Sequence, residues 1–253
     1  MTTIIKTTFG SKMEDKSLDT LLEEFYSEHS HMLEGRDITS DTISNYVSDY
    51  FLWRYVLLFT LGKSPVGLSQ AKILDAGCGN ARSLMRLIEN GASPVNCYGI
   101  DGAEKAIEYC KEMFPKLQFE LGMINDMPYS DDQFDICTCL GVLLHIQNNK
   151  DIEACFKELH RVMKKDSLVF ITVPANSVIY PGSVAGSIRT FNVHGNEVQP
   201  LYSEYFDTLN VHGYARATYD FRLSELTDYA DNETRILNGS LPADYFIYAL
   251  KTK

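Results

Sequence analysis

Lys72-Ile-Leu-Asp-Ala-Gly-Cys-Gly-Asn-Ala-Arg-Ser83 sets a short apolar run against a glycine turn and the start of a helical pattern. Ile73 and Leu74 read as the end of a buried strand. Gly77 and Gly79 read as a turn where something must approach the backbone closely. From Ala81 onward, Leu84, Leu87 and Ile88 fall on one helical face. Strand, glycine turn and helix make the first βα unit of a doubly wound sheet. In such sheets a cofactor sits at that turn, outside the carboxyl ends of the strands.

The rhythm continues downstream. The pattern predicts strands over 72–76, 97–101, 117–121, 134–140 and 167–173, with helices over 81–90, 103–114 and 151–165. Ala106, Ile107, Cys110, Met113 and Phe114 are expected to face inward from the second helix, which Pro115 ends. Strands alternating with helices at this pitch argue a parallel sheet covered on both faces. After Pro174 the rhythm is lost. Only a weak strand signal over 211–219 precedes the apolar run 245–250, a final buried strand that returns antiparallel after a long excursion.

Upstream, residues 1–16 carry no period and read as a tail. Two apolar helices follow, the second capped at Ser40 and Asp41 and stopping near Gly62. They are too apolar to stand alone and are expected to lid the sheet. The expected fold is therefore α/β, a doubly wound, mostly parallel, seven-stranded Rossmann-like sheet with an antiparallel last strand and an N-terminal helical lid. Three parts are expected: a tail and helical cap (1–69), a cofactor-binding core (70–175), and an excursion whose final strands complete the same sheet (176–253).

Composition excludes several function classes. A formal net charge of −11 over 253 residues, with no long Lys/Arg run, disfavours nucleic acid as a partner. No run approaches the ~18 apolar residues of a membrane span, and the first residues lack a signal-peptide core. The six cysteines read as small buried hydrophobes in a reducing compartment, with no metal expected. The expected location is the cytoplasm, as a monomer or homodimer.

The turn itself narrows the cofactor. A dinucleotide fingerprint places a third Gly or Ala where Arg82 stands, and a phosphate-binding Gly-Lys-Ser/Thr loop is absent. Asp101, at the carboxyl end of the second strand, can accept two hydrogen bonds from a ribose diol. Gly102 beside it lets the backbone come close. These features suit an adenosine cofactor without a pyrophosphate.

Several blocks together resemble the class I S-adenosylmethionine-dependent methyltransferases. Ile-Leu-Asp-Ala-Gly-Cys-Gly (73–79) is similar to their motif I, and Tyr-Gly-Ile-Asp-Gly-Ala (98–103) to their acidic second motif. The segment 119–135 and the blocks Leu140-Gly-Val-Leu-Leu-His-Ile (140–146) and Glu-Leu-His-Arg-Val-Met-Lys-Lys (158–165) follow in order and spacing. The resemblance covers roughly residues 70–175.

The resemblance implies a set of roles. Gly77 and the Cys78–Gly79 backbone contact the methionine portion, and Asp75 positions that turn and the cofactor's amino group. Asp101 takes the ribose hydroxyls and Gly102 lies against the adenosine. Met123 and Ile124 flank the adenine. The Leu140 carbonyl holds the methionyl ammonium, and Arg54 pairs with the methionyl carboxylate. Met123 departs from the pattern: many relatives carry Asp there to bind the adenine amino group.

The implied activity is methyl transfer from S-adenosylmethionine to an O or N atom of a small-molecule acceptor, leaving S-adenosylhomocysteine. His145 is the candidate base, with His194 and His212 weaker. Tyr26, Tyr46, Tyr180 and Arg189 are candidates for the acceptor pocket. Other tyrosines of the excursion, Tyr202 and Tyr205 among them, either join that pocket or knit the segment onto the sheet. The alternatives are a cofactor-binding partner or regulator without turnover, an aminopropyl transferase, and a protein methyltransferase.

Overall fold

β1 (Ile73–Ala76) is buried along its whole length because the sheet around it is covered on both faces. The computed structural model describes residues 53, 55–175, 197–214 and 245–253. From β1 the chain passes through the glycine turn into α2 (Arg82–Glu89), then β2 (Cys97–Asp101), α3 (Glu104–Met113) and β3 (Gln118–Leu121). β4 (Phe134–Cys139), α4 (Asn149–Val162) and β5 (Met163–Pro174) follow. A four-residue helix α5 (Gln199–Tyr202), β6 (Phe206–Tyr214) and β7 (Tyr245–Thr252) complete the described chain. Residues 55–63 form the helix α1 ahead of the sheet.

The seven strands lie in the order β3-β2-β1-β4-β5-β7-β6. β1 pairs in parallel with β2 and β4, β2 with β3, and β4 with β5. β7 is antiparallel to both of its neighbours, β5 and β6, as expected for the last strand. From β1 the sheet grows outward through β2 and β3 on one side. It restarts on the other side with β4. That reversal opens a crevice at the carboxyl ends of β1 and β4, where open α/β sheets bind ligands.

Strand alternation divides the core in two. Leu74, Cys137, Val169, Ile171 and Leu250 face Ile152, Phe156 and Leu159 of α4. Ile73, Ile136, Phe170, Ile247 and Ala249 face Val56 of α1, Leu84 and Leu87 of α2, and Ile107 and Cys110 of α3. Each fully buried Leu, Ile or Phe contributes about 1.5–3 kcal/mol of transfer free energy.

Four sequence expectations are corrected. Met113 is 53 % exposed rather than inward, since it ends α3 where the helix leaves the sheet. α4 starts two residues early because Asn148 caps it, its side chain accepting the Asp151 amide. α4 stops at Val162 because Met163 already pairs with Phe134 in the sheet. β6 spans Phe206–Tyr214, not 211–219, with Phe206 packed against Phe156 and His160. The expected N-terminal lid lies almost wholly outside the described residues. Of that region, buried Trp53 and Val56 join the core against the sheet.

Candidate cofactor site

The glycine turn is strapped to the end of β2. The Gly77 and Cys78 amides both donate to the Ile100 carbonyl, at 2.8 and 3.0 Å. The Gly79 amide donates to Asp101 Oδ2 at 2.9 Å. All three amides of the turn are thus used internally. None is left to cradle a phosphate in the manner of a pyrophosphate-binding helix start. The turn is built from left-handed backbone: φ is +78° at Gly77, +50° at Gly79 and +62° at Ala81. A Cβ on Gly77 would lie 2.3 Å from Val142 Cγ2. The space above Gly77 is shared between this turn and the loop after β4.

Asp101 is 6 % exposed and its carboxylate is held from both sides. Oδ1 accepts the Ala103 amide at 2.9 Å, and Oδ2 the Gly79 amide. Burial raises its pKa, and the two amides work against that. Each oxygen retains a second lone pair, so the group can still accept two hydroxyls.

Asp75 behaves differently. It is 1 % exposed; Thr138 Oγ1 donates to its Oδ1 at 2.7 Å, while Oδ2 has no hydrogen-bond partner among the described residues. Burial pushes its pKa up to about 7, helped by the nearby Asp101 and opposed by the hydroxyls of Thr138 and Ser83.

A cavity opens at the carboxyl ends of these strands. Gly77, Asp101, Gly102, Met123, Ile124 and His145 line it. The structure therefore brings together six of the residues singled out in the sequence. Cys78, Gly79 and Leu140 are in the same turns, one step behind the wall. Arg54, Tyr26, Tyr46, Tyr180, Arg189 and His194 lie outside the described residues. His212 stacks on Tyr55 from β6, at 5.0 Å between ring centroids, and is not part of this wall. Tyr202 and Tyr205 pack on α4 through Phe156 and His160, so for these two the packing role is the observed one.

Sequence reasoning missed Gly122, Asn125, Gly141, Val142, Ile146, Asp151 and Cys155. Gly141 carried a signal: its φ is +74°, and its amide donates to Thr172 Oγ1 at 2.7 Å, so the chain turns sharply off β4. The loop from β3 to β4 is clamped by Arg161. Its guanidinium donates to the Met127 and Tyr129 carbonyls at 3.0 and 2.8 Å, and to Glu158 and Asp131 at 2.6 Å. Glu158 in turn accepts the Met127 amide at 2.8 Å. His145 is held on a short helical turn, its amide donating to the Val142 carbonyl at 3.0 Å. Its partial enclosure lowers its pKa from the ordinary histidine value, which favours the neutral imidazole.

All six cysteines are buried and free. Among the described residues there is no cluster of three or more His, Cys, Asp or Glu placed to hold a metal ion. No described helix is long and apolar enough to cross a membrane.

Residues 68–205 match a family model described as a methyltransferase domain. A demethylmenaquinone methyltransferase from Chlorobaculum tepidum is 23 % identical over 98 % of this chain and 95 % of its own length. A tRNA U34 carboxymethyltransferase from Campylobacter lari is 27 % identical over 47 % of this chain and 41 % of its own. With other curated relatives the chain spans about half of the relative's length. The magnesium protoporphyrin IX methyltransferase of Synechocystis, solved with bound S-adenosylhomocysteine, superposes with a TM-score of 0.64. It is 12 % identical, over 92 % of this chain and 99 % of that one.

Proposed function

The chain belongs to the family of S-adenosylmethionine-dependent methyltransferases, and from that premise we propose that it methylates an O or N atom of a small-molecule acceptor. The donor is S-adenosylmethionine. The observation that carries the reading is the pairing of a glycine turn whose amides are used internally with the doubly anchored Asp101 at one cavity. The donor-binding roles rest on the motif resemblance together with this placement.

In this reading Asp101 accepts the ribose hydroxyls and Gly102 packs on the nucleoside. Gly77, Cys78 and Gly79 shape the backbone surface under the methionine portion. Leu140 offers its carbonyl to the ammonium, and Arg54 its guanidinium to the carboxylate. Asp75 stiffens the turn from beneath. Met123 and Ile124 enclose the purine. Bound there, the donor supplies an electrophilic methyl group and a neutral leaving thioether, so no acid is required for departure. The protein's tasks are to exclude water and to align the acceptor. His145, half-buried at the cavity wall, takes the acceptor's proton in this reading. Tyr26, Tyr46, Tyr180 and Arg189 are proposed to shape the acceptor side.

The net charge of −11 supports a small acceptor over a polynucleotide, since an acidic surface repels phosphates. Six buried free thiols fit a reducing, cytoplasmic setting. The test is incubation with methyl-labelled S-adenosylmethionine and a whole-cell extract, followed by separation of metabolites, RNA and protein and mass spectrometry. Label in a low-mass product is the expected result. Label confined to RNA or protein would contradict the acceptor class, and no label from varied extracts would favour a binding partner without turnover.

A further inference from the structure

β3 (Gln118–Leu121) ends one side of the sheet, and among the described residues no strand lies beyond it. The Gly122 amide donates to the Asp101 carbonyl of β2 at 3.0 Å. Bonding direction alternates from residue to residue along a strand, so Phe119 and Leu121 turn their amides and carbonyls away from β2. A strand edge of this kind is a template for another strand. Its flank is also apolar and uncovered: Leu121 is 49 % exposed, and Leu117, just ahead of the strand, is half-buried.

The pattern along this edge is complementary to itself. Lys116 and Gln118 stand at its start and Glu120 toward its end, all three exposed. A second copy laid antiparallel reverses that order, so each end meets its opposite. A two-fold pairing keeps the buried and exposed faces aligned only when its axis passes through a residue. Axes through Gln118 or Leu121 overlap the two strands at a single residue. An axis through Glu120 sets that carboxylate against itself, which is repulsive. An axis through Phe119 avoids both faults. It sets Gln118 opposite Glu120 and Leu121 opposite Leu117, and leaves Lys116 diagonal to Glu120, within reach of its long side chain.

We propose that β3 is a self-association edge: two copies of this chain pair their β3 strands antiparallel about a two-fold axis at Phe119, joining their sheets. Phe119 exchanges both backbone bonds with its counterpart, and the Leu121 amide donates to the Leu117 carbonyl of the second copy. The Leu117 amide is not called upon, since it already donates to the Phe114 carbonyl at 3.0 Å. On one face Leu121 covers Leu117. On the other, Gln118 donates to the Glu120 carboxylate with Lys116 at its side. The Gln118 side-chain amide already donates to the Val95 carbonyl at 3.0 Å and has a second N–H for this bond. The contact is isologous and closes on itself, so it makes a dimer rather than a filament.

The test is analytical sedimentation of the full chain over a concentration series, with substitutions at exposed positions. Wild type is expected to show a reversible monomer–dimer equilibrium. Lys116→Glu and Glu120→Lys should each weaken it about tenfold, since the axis makes every substitution act twice. The combined swap K116E/E120K restores opposite charges and should recover most of the loss. Disulfide trapping reads the register. The six native thiols are buried. Under oxidised glutathione, a mixture of Gln118→Cys and Glu120→Cys chains should therefore give more cross-linked dimer than either variant alone. A wild type that stays monomeric throughout the series would overturn the proposal and leave the edge to a different protein. Single variants that associate as wild type does would overturn it too, by placing the contact elsewhere. So would a combined swap no better than the single variants, or trapping no greater in the mixture.

Discussion

Asp101 Oδ2 accepts the Gly79 amide at 2.9 Å across 22 residues of sequence, so the end of β2 and the turn after β1 are one rigid unit. The carboxylate that faces the cavity also holds the turn in shape. Changes to either partner are therefore expected to affect binding and local stability together.

Gly77 tests the turn. At φ +78°, with Val142 Cγ2 2.3 Å from an added Cβ, Gly77→Ala carries both backbone strain and a clash. The expected loss is about 1–3 kcal/mol in urea unfolding, with weaker binding of S-adenosylhomocysteine. Adding Val142→Ala should recover the clash and leave the strain. Full recovery would mean that the left-handed backbone costs nothing.

Asp75 tests the buried charge. Its folded pKa of about 7 lies above the unfolded value of about 3.9, so between those values the folded state holds a proton that the unfolded state lacks. Its contribution to stability is fully present below pH ~4 and is lost as pH rises toward 7, at no more than about 1.4 kcal/mol per pH unit. Asp75→Asn removes this dependence. Denaturation curves at pH 4.5 and 7.5 should show the variant gaining on wild type at the higher pH. A constant difference would place an ionised Asp75 in the folded protein.

Arg161 tests the loop that carries Met123 and Ile124. Arg161→Ala frees the Met127 and Tyr129 carbonyls and leaves Glu158 without its cationic partner. Arg161 is one-third exposed, so a loss of about 1–2 kcal/mol is expected. Hydrogen exchange of the amides over 122–133 should accelerate while the β1 amides stay protected. Uniform acceleration would point to global unfolding instead.

His145 tests the chemistry. Its lowered pKa places the acid limb of turnover below the ordinary histidine value near 6.5. His145→Ala is expected to reduce turnover about 10²–10⁴-fold while altering S-adenosylhomocysteine affinity far less. Turnover near the wild-type rate would dismiss the base role.

The cysteines test compactness. All six are buried, and burial raises the thiols of Cys97 and Cys155 to about 12. Native protein should resist a thiol-specific chromogen that titrates six groups once the chain is denatured. Rapid native labelling would show that the core opens.

Much of this architecture was legible from local signals. Ile73, Leu74 and the glycines of 77–79 announced the βα unit because strand, turn and helix are contiguous in sequence. Asp101 was legible because a carboxylate ends an apolar run at a carboxyl edge of the sheet. Asp151 and Cys155 were not, because they reach the cavity only through the packing of α4 on β4 and β5. The Phe156 stripe predicts that packing, but no spacing fixes which residues overhang the strand ends. Met113 satisfied the helical period and still points to water, since a helix's last turn extends past the sheet it covers. β6 was misplaced because its pairing with β7 is set from distant sequence, with a register shift between Thr208 and Asn210.

The central claim is that this cavity binds the adenosyl donor through Asp101. Calorimetric titration of S-adenosylhomocysteine into wild type, Asp101→Asn and Asp101→Ala tests it most directly, with unfolding midpoints measured in parallel. The account predicts saturable one-to-one binding to wild type. It predicts weaker binding to the asparagine variant and none detectable to a folded alanine variant. Equal affinity across the three folded proteins would contradict it.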